Sequence, residues 1–138
     1  MASFNKYQKG VEALMESINA GSDAWKVALT NRAPVVATDA TLTDASEVAA
    51  GNGYTAGGNA ATTTSSTQTS GTYKLILASP TAWTATGGSL GPFRYAVLYD
   101  STTNNLIGYW DYGSSVTLAT GESFTVSLDG TNGVFTVA

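Results

Sequence analysis

The chain contains no cysteine and no histidine in 138 residues. The first absence excludes disulfides and thiolate chemistry and leaves the redox compartment open. The second removes Ser-His-Asp and Cys-His catalysis together with ordinary zinc sites. An enzyme built on carboxylates or lysine stays open, but most hydrolytic chemistry has lost its commonest base. Charge is also scarce. Charged residues make up 12% of the chain, about half the usual share of a soluble domain. No apolar run approaches the ~18–20 residues of a membrane span. The N-terminal "MASFNKYQKGVEALMES" spaces its apolar residues, unlike the continuous core of a signal peptide.

Net charge is −4, and the six cations (Lys6, Lys9, Lys26, Arg32, Lys74, Arg94) are scattered. No basic stripe forms, so nucleic acid is not an expected partner, and with no apolar run of spanning length no membrane is expected either. Apolar residues reach 43%, enough for a core in one domain of this length. Gly, Ser, Thr and Ala occupy the positions that charges usually hold. Such a surface repels little and suits a protein that lies against other proteins, a β-rich domain with Thr/Ser-lined strands, or a quiet extracellular surface.

Residues 3–20 read as one amphipathic helix. Phe4, Tyr7, Val11, Leu14, Met15 and Ile18 recur at helical spacing, with Ser3 as the cap and Gly21 just past the end. Gly10 inside it should cost about 1 kcal/mol relative to alanine. This helix is expected to cover the core, so a charge at Leu14 should be strongly destabilising. "AWKVALT" alternates Trp25, Val27 and Leu29 with smaller or polar residues, which is strand periodicity. Residues 38–61 then form a Gly-rich excursion, with a short helical turn expected near Asp44–Ala49. "TTTSSTQTSGTYKLILAS" reads as an exposed Thr/Ser strand, a bend at Ser70-Gly71 and a buried strand from Tyr73. The last third gives strand, turn and strand at short spacing, an antiparallel meander. The expected fold is mainly β: an antiparallel β-sandwich or barrel of about seven or eight strands in a single domain over 1–138. The N-terminal helix packs against a β-rich body over 24–138.

Four features invite a functional reading. "GYWDYG" (108–113) concentrates aromatic residues around Asp111. In a strand, Trp110 and Tyr112 share one face, and Tyr109 and Asp111 the other, so the stretch reads as sheet, with Asp111 as a hydrogen-bond acceptor. "GNGYTAGG" (51–58) resembles a phosphate loop but lacks the Lys-Ser or Lys-Thr pair and the strand–helix context. It reads as a turn, with Tyr54 pinning the loop down. Asp39, Asp44 and Glu47 lie close in sequence without a calcium-loop spacing and read as solvated acids. Trp25, Trp83 and Trp110 leave a glycan-binding β-sandwich open. No catalytic, cofactor-binding or metal-ligating residue is assigned.

Taken in order, "GSDAWKVALTNRAP" (21–34), "ASEVAAGNGYTAGGNAA" (45–61), "GGSLGPFRYAVLYD" (87–100) and "LIGYWDYGSSVTLATGESFTVSLDGTNGVFTVA" (106–138) resemble a family of small virion-associated structural proteins of tailed bacteriophages. The resemblance covers nearly the whole chain and carries no catalytic residues. It implies a part of the phage particle, made in the host cytoplasm and residing in the virion. The low charge favours a capsid decoration, or cement, protein on the outer surface of the head. Its partners there are the major capsid protein and copies of itself, with a trimer at local three-fold positions as the expected assembly. A tail, neck or adaptor subunit is the alternative. The expected contacts are Asn52, Tyr54 and Thr55 in the Gly-rich excursion, judged to have few anchors, and Thr63, Thr64 and Thr67 on the Thr/Ser strand. Deleting 50–58 should then leave a folded domain that no longer binds particles.

Overall fold

The structure is a computed structural model that describes residues 2–138. It is mainly β, with antiparallel sheets that pack as a sandwich and do not close into a barrel. Along the chain run β1 (Asn5–Lys6), α1 (Gln8–Glu16), β2 (Trp25–Thr30), α2 (Leu42–Ala45), β3 (Asn59–Ala60), β4 (Thr63–Thr69), β5 (Thr72–Leu77), β6 (Trp83–Thr84), β7 (Leu90–Asp100), β8 (Asn105–Leu118), β9 (Ser123–Phe124) and β10 (Phe135–Val137). Three sheets result, ordered β1-β8-β7-β2-β3, β10-β5-β4 and β6-β9. The ten strands exceed the expected seven or eight because several are two-residue edges. "ESFTVSL" departs most from expectation: only Ser123–Phe124 pairs, although Val126 is still buried.

The larger sheet is covered on both faces, so β2 does not show the alternation of a half-exposed strand. On one face Trp25, Val27 and Leu29 join Ala96 and Leu98 of β7, Leu75 and Leu77 of β5, and Trp83 in the main core. Trp25 meets Phe135 of the facing sheet edge-on at 6.2 Å. On the other face Ala28, Val97, Tyr99 and Leu106 pack with Tyr7 and Ala45, which lie outside the sheet. The small Ala28 leaves room for that second layer. Burial on both faces is what a sheet needs when its strands read as near-continuous apolar runs.

The N-terminal helix is shorter than its periodicity predicts. Residues 5–6 pair with β8 at Tyr109 and Gly108 as a strand, and the helix begins at Gln8 after Tyr7. Ser3 therefore does not cap it. Tyr7 holds the cap position with extended backbone and no side-chain bond. The Tyr7 N–H donates instead to the Ile107 carbonyl at 3.0 Å, which continues the sheet edge and delays the helix. The buried face differs too. Gly10 and Ala13 are buried, whereas Val11 and Met15 are exposed, Met15 at 81%. Gly10 lies so close to β8 that a Cβ there would stand 2.6 Å from the Leu106 carbonyl oxygen. The helix rests on the β8 backbone through its smallest residue. Tyr7 joins one core cluster and Leu14 and Ile18 pack on the other, so the helix wraps the edge of the sheet.

Candidate functional site

The Gly-rich excursion is firmly tied down, contrary to the expectation of few anchors. Tyr54 is 3% exposed. Its hydroxyl donates to Glu47 Oε2 at 2.7 Å and accepts the Leu29 N–H at 3.2 Å. Glu47 also accepts the Gly57 N–H at 2.8 Å, and the Tyr99 hydroxyl donates to the Gly57 carbonyl at 2.7 Å. Burial, with the Glu47 charge beside it, pushes the Tyr99 hydroxyl up to about 12. Burial first and Glu47 second push Tyr54 upward as well, so both phenols stay protonated as donors. Gly58, at φ +76°, lies against the Val27 carbonyl, where any side chain would collide. Tyr54 therefore pins the loop to β2 and is no partner contact. Asn52 and Thr55 remain exposed, although the Asn52 amide donates to the Ser89 carbonyl at 2.9 Å.

The three acids of this region diverge. Asp39 is buried and takes a bidentate pair from Arg32 at 2.7 and 3.1 Å, so it is not a solvated acid. Asp44 closes a capping box with Thr41 at the start of α2. Glu47 serves Tyr54 and Gly57. Among the described residues no three carboxylates gather as metal ligands.

β4 is a sheet edge, hydrogen-bonded to β5 alone. Its loop, Ser70-Gly71, has positive φ at both positions (52° and 85°), the tightest hairpin geometry. In such a hairpin the closing pair Thr69–Thr72 exchanges ladder bonds and the alternation follows outward. Thr67 and Thr69 then turn their backbone groups toward β5, and Ser66 and Gln68 turn theirs outward. No backbone bond from another segment reaches Ser66 or Gln68. The strand carries no charge and no proline, two of the usual protections of an exposed edge, and its one irregularity is a register shift between Thr63 and Ser65. Of the expected contacts here, Thr64 and Thr67 are exposed and Thr63 is half-buried.

The aromatic stretch 108–113 lies on β8. Tyr109 and Asp111 stand opposite Val97 and Tyr95, and Trp110 opposite Ala96. Beyond Asp111 the next recorded pair is Phe93 with Val116, so residues 112–115 bulge from the hairpin, with Gly113 at φ +101°. Asp111 accepts Arg94 in a bidentate pair at 2.8 and 3.0 Å, and the Gly113 N–H at 2.8 Å. The Arg94 guanidinium and the Gly113 N–H hold its carboxyl below the usual range. Asp111 is thus the acceptor expected of it. The bulge lifts Tyr112 to 59% exposure, edge-on to Phe124 at 5.5 Å. Trp110, Tyr112 and Phe124 line a cleft of about 290 Å³, floored by the buried Ala96 and Val126, with Arg94 among its lining.

Trp25 and Trp83 are 2% and 1% exposed and can stack on no ligand. Trp110 alone of the three tryptophans reaches a cleft. No family model, curated protein or solved structure matches the chain. Sequence reasoning missed the cleft because Phe124 and Val126 lie in a segment expected to continue as a regular strand, and the bulge that lifts Tyr112 has only Gly113 as its signal.

Proposed function

We propose that the chain is a non-enzymatic structural subunit of a tailed-phage particle. It binds the outer face of the head shell as a cement protein, in contact with the major capsid protein and with copies of itself. The observation that carries the reading is the free edge of β4. Seven uncharged residues leave the outward backbone groups of Ser66 and Gln68 open to a partner strand. Strand addition supplies affinity through main-chain hydrogen bonds, whatever the partner's side chains. Repetition over a symmetric shell multiplies a modest contact. The net charge of −4 fits a surface that faces away from packaged DNA. Asn52 and Thr55, exposed on an anchored loop, form a second contact region.

Immunogold electron microscopy of purified virions with an antibody to this chain tests the reading. Dense label over the head is the expected result. Label confined to the tail or neck would transfer the chain to a tail, neck or adaptor role. No label on intact particles would overturn the particle assignment altogether.

A further inference from the structure

We propose that the Trp110–Tyr112–Phe124 cleft is a binding site for a neutral saccharide, a second activity that does not depend on where the chain sits in a particle. Three aromatic side chains line one cavity of about 290 Å³. Two of them are held in place: Trp110 is tilted against Phe4 at 5.0 Å, and Phe124 packs edge-on to Phe93 at 4.8 Å. The aromatic surface is preorganised, so little side-chain entropy is lost when a ligand arrives. Apolar C–H faces of a sugar ring stack on such rings, and so do nucleobases.

The polar groups decide between these ligands. Arg94 gives Nε and Nη2 to Asp111, so Nη1 has no partner among the described residues. Thr125 and Ser127 also line the cleft, and each hydroxyl can donate and accept. Paired with Asp111, Arg94 brings no net charge to the cleft while keeping the N–H donors of Nη1 free. Sugar hydroxyls, which donate and accept, match that lining. A nucleotide would bring phosphate to a site whose one cation is already neutralised, and no lysine lines the cleft. An apolar side chain from a partner protein would cover the Nη1 N–H groups of Arg94 without satisfying them, and that is unfavourable. The cleft is near the lower end of ligand-pocket sizes, ~300–1,000 Å³, and so takes a terminal sugar better than an internal stretch of a long chain.

Trp110 is the one tryptophan that lines the cleft, and because the buried Trp83 pairs with Phe124, the emission change is assigned to Trp110 by its loss in Trp110→Phe. The test is a glycan array of neutral and acidic oligosaccharides, followed by fluorescence titration of the full chain with the best neutral binder. Saturable binding that changes the Trp110 emission and persists at high salt is the expected result. Tyr112→Ala should abolish it at unchanged melting temperature, since Tyr112 is exposed. Trp110→Phe, which keeps an aromatic face against Phe4 but removes the fluorescent reporter, should weaken binding measured by calorimetry while retaining the fold. An empty array, binding unaffected by both substitutions, or binding confined to acidic glycans and lost at high salt would each overturn the proposal.

Discussion

Tyr54 donates its phenolic hydrogen to Glu47, seven residues back in the chain, at 2.7 Å, and the same oxygen accepts the Leu29 N–H. One hydroxyl thus ties a Gly-rich loop to a strand of the main core. Tyr54→Phe keeps the ring in place but strips the Leu29 N–H of its acceptor, and Leu29 is fully buried. The unfolding free energy should fall by about 1–3 kcal/mol, measured by urea denaturation. A loss under about 0.5 kcal/mol, the range of ordinary surface changes, would show that the loop is anchored by other means. The same contact revises the deletion of 50–58. Removing that segment takes a core side chain with it, so the deletion tests the fold and not particle binding.

Gly10 gives a prediction whose sign is the test. In an isolated helix Gly→Ala is stabilising by about 1 kcal/mol. Here the added Cβ would meet the Leu106 carbonyl at 2.6 Å. The helix would have to lift off β8, and overpacking of this kind costs about 1–3 kcal/mol. Gly10→Ala should therefore lower the urea midpoint. A raised midpoint would mean that α1 is not seated on the β8 backbone.

These two sites also show what the sequence could and could not disclose. Strand periodicity in "AWKVALT" and the Thr/Ser hairpin around Ser70-Gly71 follow from local rules of alternation and turn chemistry, and both appear in the structure. So does Tyr54 as the pin of its loop. Helical spacing from Phe4 to Ile18 was misleading, because the Tyr7 N–H is claimed by the Ile107 carbonyl one hundred residues away. The exposed Val11 and Met15 complete an apolar pattern that tertiary packing does not use. Asp39 shows the same limit: nothing near it in sequence reveals that Arg32 will bury it in a bidentate pair. The aromatic cleft depends on Phe124 meeting Tyr112 across two segments, which no local pattern encodes.

The edge of β4 can be blocked without breaking its hairpin. The Ser66 N–H points away from β5, so Ser66→Pro removes no ladder bond, and proline is tolerated on edge strands in that orientation. The variant should fold with nearly the wild-type circular dichroism spectrum and lose its attachment to heads stripped of the protein, assayed by co-sedimentation. Thr67→Pro, at an inward N–H, should disrupt the β4–β5 pair and serves as the contrasting control. Wild-type attachment by a folded Ser66→Pro protein would remove β4 from the interface.

Asp100 makes stability depend on pH in a direction opposite to most carboxylates. Its side chain is fully buried. Burial first, and the neighbouring Asp23 second, push its carboxyl up to about 6 from 3.8, while the Thr102 and Thr103 N–H groups pull the other way. The folded state therefore holds this proton more tightly than the unfolded chain does. The stabilisation is fully present below the unfolded value of 3.8 and is lost as pH rises through about 6. Asp23, Asp44, Asp111 and Asp129 are shifted downward, so their contributions are present above 3.8 and disappear only in acid. Stability should peak near about pH 4 and decline by up to about 3 kcal/mol as pH rises through about 6, then level off toward about pH 7. Asp100→Asn keeps an oxygen for the Thr102 and Thr103 N–H groups and has nothing to titrate. Urea midpoints measured across that range should fall for the wild type and stay level for the variant. A wild-type midpoint that stays level or rises would mean that Asp100 is ionised within the fold, its charge met by the hairpin N–H groups.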